Sequence, residues 1–287
     1  MGVCAYLYVN HRETSNFVRR DSPLINFERI DSNISKLRTE FENNKPFRYL
    51  AIDDLCDPER LNRLVDKIPD PIEVGIKQSR DYVFAKNKFE KSRFRDLDPL
   101  FDEIYMDLTS ERFKQFLQEV TGEEVFLDAQ FHGGGLHQGG ADSFLDMHAD
   151  FNYHPLHKEW FRDLNILLYL NRGWEPSYGG QLKLRHLHHP ERGTGLVEPL
   201  FNRCVIMPTR DYTLHGYDKI NFPQGTYRRS LAAYAYRLTD LPVSSEVRST
   251  RWYPENSGFA KKALGQSWPR LVKMKSAIFG SRTAKNA

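Results

Sequence analysis

The amino-acid sequence predicts a mainly β domain, a sandwich or barrel, with helical support on its N-terminal side. Three observations point there. From residue 124 to about 240, short β-rich runs alternate with turn residues, the spacing expected of a sandwich or barrel. Residues 31–123 instead place apolar side chains mostly at helical intervals. The chain has 287 residues, 40% hydrophobic and 28% charged. That is enough to bury a sizeable core without disulfides or partners.

Taken in order, residues 1–30 are mixed and polar and are expected to form a loosely held arm or an edge strand. Asp31-Ser32 can cap a helix with Ile34, Leu37 and Phe41 on one face. Phe47 to Ile52 reads as a strand. Asp57-Pro58 then opens a helix, with Asp as cap and Pro in the first turn, and Leu61, Leu64, Val65 and Ile68 form its apolar face. Residues 69–95 are rich in Pro and Lys and read as long loops with a strand near Tyr82-Val83-Phe84. Two more helices follow, over about 98–108 and 110–120. Phe113, Phe116, Leu117 and Val120 make the stripe of the second, and Gly122 ends it. The helical support region thus spans 31–123 and the β core 124–240, within a single catalytic domain 1–287.

Residues 241–287 form a basic C-terminal extension. It holds nine Lys/Arg against two Glu, or +7, which leaves −4 for the rest of a chain whose total is +3. Trp268, Leu271, Met274 (or Lys275) and Ile278 recur at helical spacing before Gly280. Such a segment can lie on an anionic membrane surface. Packing on the domain is the favoured reading, because Trp252, Tyr253 and Trp268 are costly to leave in water. Three scattered Cys, Cys4, Cys56 and Cys204, cannot form a disulfide framework and point to a reducing compartment. No apolar run or leader pattern is present, so the expected location is the cytoplasm. No nucleic-acid partner is expected.

The chemistry is carried first by His148-Ala149-Asp150. The surrounding Ser143–Asp150 run reads as a strand, where residues two apart share a face. His148 and Asp150 therefore point the same way. With His215, in Leu214-His215-Gly216, they can close one face of an octahedral iron and leave cis positions for cosubstrate and dioxygen. Taken alone, the pair is better read as a surface feature at a strand end, since the chain has ten His and many Asp. The second element is Tyr227–Tyr236, a strongly β-like segment. Arg228, Ser230, Ala232 and Tyr234 share one face, and Arg229, Leu231 and Ala233 the other. An Arg fork with a hydroxyl two residues on makes a carboxylate receptor. A slip of one residue would present Arg229 instead. On the strand Arg162–Asn171, alternation groups Asn165, Leu167 and Tyr169.

Over about Leu127–Tyr236 the chain resembles the iron(II)/2-oxoglutarate-dependent oxygenases of the prolyl-4-hydroxylase-like type, in particular bacterial members of similar length without an assigned substrate. The resemblance is carried by Gly133-Gly134-Gly135-Leu136-His137, by His148-Ala149-Asp150-Phe151-Asn152, and by Arg162–Asn171 with Trp174. It continues through Gly179-Gly180-Gln181-Leu182-Lys183-Leu184, Phe201–Met207, His215-Gly216 and Arg228-Arg229-Ser230-Leu231. It implies a double-stranded β-helix of the jelly-roll or cupin-like kind, buttressed by the N-terminal helices. It implies Fe(II) on His148, Asp150 and His215, and 2-oxoglutarate held by Arg228 and Tyr169, with Ser230 and Asn165 on the same faces. O2 is the co-reactant, and ascorbate a supporting reductant. The implied reaction is hydroxylation of an unactivated C–H, with 2-oxoglutarate converted to succinate and CO2. Desaturation, demethylation or a non-catalytic sensing role are the alternatives. The retained Asp150 argues against halogenation, for which relatives carry Gly or Ala there.

The substrate is a small molecule or a peptidyl side chain, unidentified from sequence. Two insertions bear on it. Asp218–Gly225 separates His215 from Arg228 and is expected at the pocket mouth. Asn152–Trp160, with Tyr153, His154 and His157, either touches substrate or forms a solvated loop. His186-Leu187-His188-His189 reads as an exposed turn. His132 and His137, flanking the triple glycine, read as core or loop residues, with a pocket-lining role as the alternative.

Overall fold

The computed structural model of the protein describes residues 22–74, 76, 83–240, 247–255 and 257–279. The helical layer is α1 (Phe27–Ser32), α2 (Ile34–Asn43), α3 (Pro58–Asp66), α4 (Pro99–Leu108) and α5 (Glu111–Thr121). Its caps are local. Asp57 accepts from Arg60 N at 2.8 Å with Pro58 in the first turn, and Ser110 Oγ accepts from Phe113 N at 3.1 Å. Gly122 closes α5 in the left-handed region at φ 74°.

Three expectations are corrected. Residues 22–30 are not a loose arm. Leu24 and Ile25 are buried and donate their N–H groups to the buried Asp107 carboxylate, and α1 follows. Asp31 and Ser32 lie inside α1, so the residue at the head of α2 is Asn33, which makes no side-chain cap bond. The strand of the 69–95 region begins at Ala85 and not at Tyr82. Val83 and Phe84 form the turn before it, and Tyr82 lies outside the described residues.

The strands are β1 (Leu50–Ile52), β2 (Ala85–Lys91), β3 (Phe126–Leu127), β4 (Gly135–Ala149), β5 (Trp160–Tyr169), β6 (Leu182–His186), β7 (Thr194–Val197), β8 (Cys204–Pro208), β9 (Thr213–Tyr217), β10 (Arg228–Leu238) and β11 (Arg251–Trp252). All pair antiparallel, in the order β1-β8-β5-β10-β4-β9-β6-β7, with β2 and β11 on β4 and β3 on β10. The long β4 turns the corner. Its first half lies between β10 and β2, its second half meets β9 and β11, and Asp142 at φ 58° marks the bend. A sheet that folds over itself in this way is a jelly roll.

Alternation then sorts side chains between two cores. Leu164, Ile166 and Leu168 of β5, Ile206 of β8, and Leu231, Ala233 and Ala235 of β10 face the helices. There they join Leu61, Leu64, Phe101, Ile104, Phe113 and Leu117. The opposite positions, Tyr169, Val205 and Met207, pack inside the roll with Leu182, Leu184 and Val197. Burial on both faces is why these strands read as nearly continuous apolar runs.

The C-terminal extension contributes β11 and α6 (Phe259–Phe279). Trp252 stacks on Phe84 with ring centroids 5.0 Å apart, and Trp268 meets the same ring edge-on at 5.4 Å. Lys261 pairs with Asp146 at 2.6 Å. Helical spacing over Trp268–Ile278 agrees with α6, and Gly280 lies outside the described residues. Among the described residues, no helix is long and apolar enough to cross a membrane.

Candidate active site

β4 and β9 run antiparallel with His148 directly opposite His215, so the two imidazoles emerge side by side, 4.2 Å apart between ring centroids. Asp150 lies just past the end of β4 and turns its carboxylate between them. Oδ1 is 3.4 Å from His148 Nε2, and Oδ2 is 3.4 Å from His215 Nε2. The ligand atoms of all three fall within 4.8 Å of one another.

His148 Nδ1 lies 2.9 Å from the Asp146 carbonyl, which can only accept. Nδ1 therefore carries the proton, and Nε2 presents its lone pair to the centre. Burial, with His148 beside it, pushes His215 down to about 3, so its ring is neutral. Burial acts to raise Asp150, but Arg162, His215 and His148 outweigh it and hold the carboxyl well below its ordinary range. Two imidazoles and one carboxylate on one side of a cavity fit an Fe(II) ion with open cis positions.

The carboxylate is oriented from behind by Arg162, a buried residue assigned no role of its own in the sequence reading. Its Nη2 donates to Asp150 Oδ2 at 3.0 Å and to Asn165 Oδ1 at 2.7 Å. The guanidinium lies between the rings of Phe151, 4.5 Å away, and Tyr234, 3.5 Å away. Asn165 Nδ2 donates to the same Asp150 oxygen at 2.8 Å, and Thr209 Oγ1 donates to Asn165 Oδ1 at 3.2 Å. Asn165 was expected at the cosubstrate. Its amide is instead committed on both sides to the network that aims Asp150.

The triad lines a cavity of about 200 Å³ together with Arg228, Ser230, Tyr217 and Leu182. Arg228 Nε donates to Gly180 O at 2.7 Å and Nη2 to the Tyr169 hydroxyl at 3.2 Å, while the guanidinium rests 4.2 Å over the Tyr217 ring. A Cβ at Gly180, where φ is 77°, would sit 3.0 Å from Arg228 Cδ, so glycine gives the arginine its seat. Tyr169 is fully buried behind Arg228 and is not among the wall residues. Arg229 points to the other face, donates to Gln138 Oε1 at 3.0 Å, and borders a different cavity with Tyr227 and Phe222.

Other histidines sort clearly. The Asn152–Trp160 insertion is not a solvated loop throughout. Asn152, Tyr153 and His154 are buried, and none of its residues borders the cavity. His132, His154 and Asp128 are brought together with metal-like proximity. However, Asp128 Oδ2 accepts from His132 N at 2.7 Å and Nδ1 at 2.9 Å. His154 Nδ1 accepts two backbone N–H groups at 3.1 Å, which leaves the proton on Nε2 facing Asp128 at 3.4 Å. A protonated nitrogen is no ligand, and the cluster ties the insertion to the roll. Of the His186–His189 run read as an exposed turn, His186 is instead buried at the end of β6, while His188 is exposed and His189 half-buried, and no metal-like group includes them among the described residues. His137, by contrast, borders the active cavity, as do Lys88, Glu90, Thr250 and Trp252. The last four were not predicted. Lys88 and Glu90 sit in a segment read as loop, and Trp252 lies beyond the β core.

Residues 134–236 match the family model described as the 2OG-Fe(II) oxygenase superfamily. No curated protein sequence matches significantly. Among solved structures, a prolyl-4-hydroxylase of Pseudomonas putida is 13% identical, with TM-score 0.50, covering 72% of this chain and 100% of its own. A prolyl hydroxylase of Trichoplax adhaerens, in complex with a peptide fragment of hypoxia inducible factor, is 12% identical, with TM-score 0.53, covering 73% and 91%. A prolyl 4-hydroxylase from Phytophthora capsici is 18% identical, with TM-score 0.52, covering 94% and 85%. At these identities the three share the fold with this chain.

Proposed function

From the premise that the chain belongs to the 2OG-Fe(II) oxygenase superfamily through residues 134–236, and so is an enzyme using Fe(II), 2-oxoglutarate and O2, we propose that it hydroxylates an unactivated C–H of a small molecule or peptidyl side chain. The observation that carries this reading is the meeting of the His148/Asp150/His215 face and the Arg228 cation in one cavity. In this assignment the triad holds iron through His148 Nε2, His215 Nε2 and the Asp150 carboxylate. Arg228, steadied by Tyr169 and Gly180, pairs with the distal carboxylate of 2-oxoglutarate, and Ser230 lies on the same wall. When bound, the metal and 2-oxoglutarate would supply, with O2 as oxidant, the oxidation that converts C–H to C–OH, with succinate and CO2 as co-products.

The chain's own work is geometric. Arg162 and Asn165 keep Asp150 ionised and turned toward the two imidazoles. The Asp146 carbonyl fixes the His148 tautomer. In this assignment Asp150 would take the third ligand position, which favours hydroxylation over halogenation as the expected outcome.

The test has two arms. Anaerobic Fe(II) titration of His148→Ala, Asp150→Ala and His215→Ala should show weakened binding in each. Undiminished tight binding in all three would overturn the ligand set. The wild-type protein should convert 2-oxoglutarate to succinate in an iron-dependent manner. A chlorinated product in chloride buffer would overturn hydroxylation.

A further inference from the structure

One wall of the active cavity is not used by the metal or by the Arg228 cation. It is built from two adjacent strands, with Lys88 and Glu90 on β2 and His137 on β4, directly opposite Glu90 in register. His137 is itself opposite Ser230 of β10, so this wall continues into the Arg228 side of the cavity, with Gly139 between Lys88 and Arg228. Lys88 Nζ and Glu90 Oε1 are 2.7 Å apart, with side chains 20% and 36% exposed. A sequestered ion pair contributes little net stability, because desolvation offsets the attraction. Two opposite charges on a cavity wall are better explained by what they receive.

His137 supplies the second, independent observation. It is only 8% exposed, and its Nε2 has no hydrogen-bond partner. Buried polar atoms are nearly always paired, so an unpaired one on a cavity wall marks a ligand contact. Burial first, then the charge of Lys88, pushes the ring down to about 3. The ring is therefore neutral. A neutral imidazole keeps one acceptor nitrogen, and the unpartnered Nε2 is the one taken for that role here.

We propose that Lys88, Glu90 and His137 form a receptor for a zwitterion, so that the substrate of the hydroxylase is a free α-amino acid. Its carboxylate replaces Glu90 at Lys88 Nζ, and its ammonium donates to Glu90 and to His137 Nε2. The three groups match the two charges and the excess of donors of an amino-acid head group. The inference rests on the oxygenase reading above and names the substrate class of the same site.

The experiment uses the full chain loaded with Mn(II) and 2-oxoglutarate, which does not turn over, titrated calorimetrically with each standard L-amino acid. At least one should bind, and its N-acetyl and methyl-ester derivatives should bind about tenfold to a hundredfold more weakly, as expected for a lost charge-assisted bond. With Fe(II), the same amino acid should stimulate succinate formation and gain one oxygen by mass. Glu90→Gln should narrow the preference for that amino acid over the matching 2-hydroxy acid. Lys88→Met should raise its Kd, with folding checked by melting temperature and Mn(II) binding.

The inference is overturned if no amino acid binds the loaded wild-type protein while succinate still forms slowly without added substrate. It is also overturned if blocked derivatives or peptides bind as well as the free amino acid, or if Lys88→Met shifts the Kd of 2-oxoglutarate alone. Absence of iron-dependent succinate under every condition would instead overturn the oxygenase reading itself.

Discussion

Two regions build the cavity, and they reach it by different routes. The first is the quartet β4, β5, β9 and β10, which carries His148, Asn165, His215, Arg228 and Ser230. The second is a pair of flanks, β2 before it and the 247–255 segment after it, which bring Lys88, Glu90, Thr250 and Trp252. The first lies within the residues that match the superfamily model, and the flanks lie outside them. In the quartet each side chain is aimed by strand alternation and by partners on both sides. Shifting one residue would turn the whole set to the helix face. The flanks pair with β4, through a short pairing of β11 at His148 and Ala149 and through the edge pairing of β2, and the C-terminal flank is also held by Glu255 on Lys183 and Arg185 of β6 and by Arg248 on Asp150 and Asn152. The proposed division of labour puts the common chemistry on the quartet, and places recognition on the β2 edge with His137 of β4.

Cutting the chain after Asp240 tests whether the C-terminal flank is structural or an appendage. It removes Trp252 from between His148 and Phe84, at 4.8 and 5.0 Å, and with it Trp268. It also removes Arg248, which donates to the Asp150 carbonyl and to Asn152 Oδ1. Loss of a buried Trp alone costs about 3–5 kcal/mol. The truncated protein should therefore melt roughly 6–15 °C lower in lipid-free buffer. An unchanged melting temperature, with salt-sensitive sedimentation of the full chain on anionic liposomes, would reverse the assignment and make the extension a membrane-binding arm.

Within the quartet, the sharpest contrast is between neighbouring arginines. Arg228 faces the cavity and Arg229 faces Gln138. Arg228→Ala should weaken 2-oxoglutarate by about 2–3 kcal/mol, tens- to hundreds-fold in Kd. Arg229→Ala should change Kd by a few-fold at most. Calorimetric titration of both variants decides it, and the reverse order would place the cosubstrate on the other face of β10.

The quartet was legible in the sequence because its signals are periodic. His148 with Asp150, and Arg228 with Ser230 and Tyr234, follow from a period of two, and the helices from a period near 3.6. Asp57 and Gly122 were legible because caps are local. What was missed depends on distance. No local pattern tells that Arg162 reaches Asp150, or that Asn165 turns its amide to the same carboxylate. No local pattern tells that Trp252 returns to β4 from beyond the core. Lys88 and Glu90 were hidden by a Lys-rich composition that reads as loop. The available signal was their alternation with Phe89, which is buried on the opposite face. The insertion at 152–160 was misread because its burial depends on Asp128, a residue remote in sequence.

The smallest expected effect tests the seam between the two regions. His137 stands on β4 but faces the flank, and its ring is pushed down to about 3 by burial first and Lys88 second. In the unfolded chain the same ring titrates near its ordinary value of about 6.5. Between those values the unfolded state holds a proton that the folded state lacks. Stability contributed by this residue is therefore constant above about pH 6.5 and falls as the pH drops toward 3. The slope is on the order of 1.4 kcal/mol per pH unit. His137→Gln cannot titrate, so its unfolding free energy should decline less steeply between pH 6 and 4.5 by about that amount. Denaturant melts of the metal-free protein across that range measure the difference. Lys88→Met with His137 in place should lose only part of the slope, because burial is the larger cause. Equal slopes for wild type and His137→Gln would mean the ring is solvated and charged at mild acidity, and the β2 wall would then be open to water rather than shaped for a ligand.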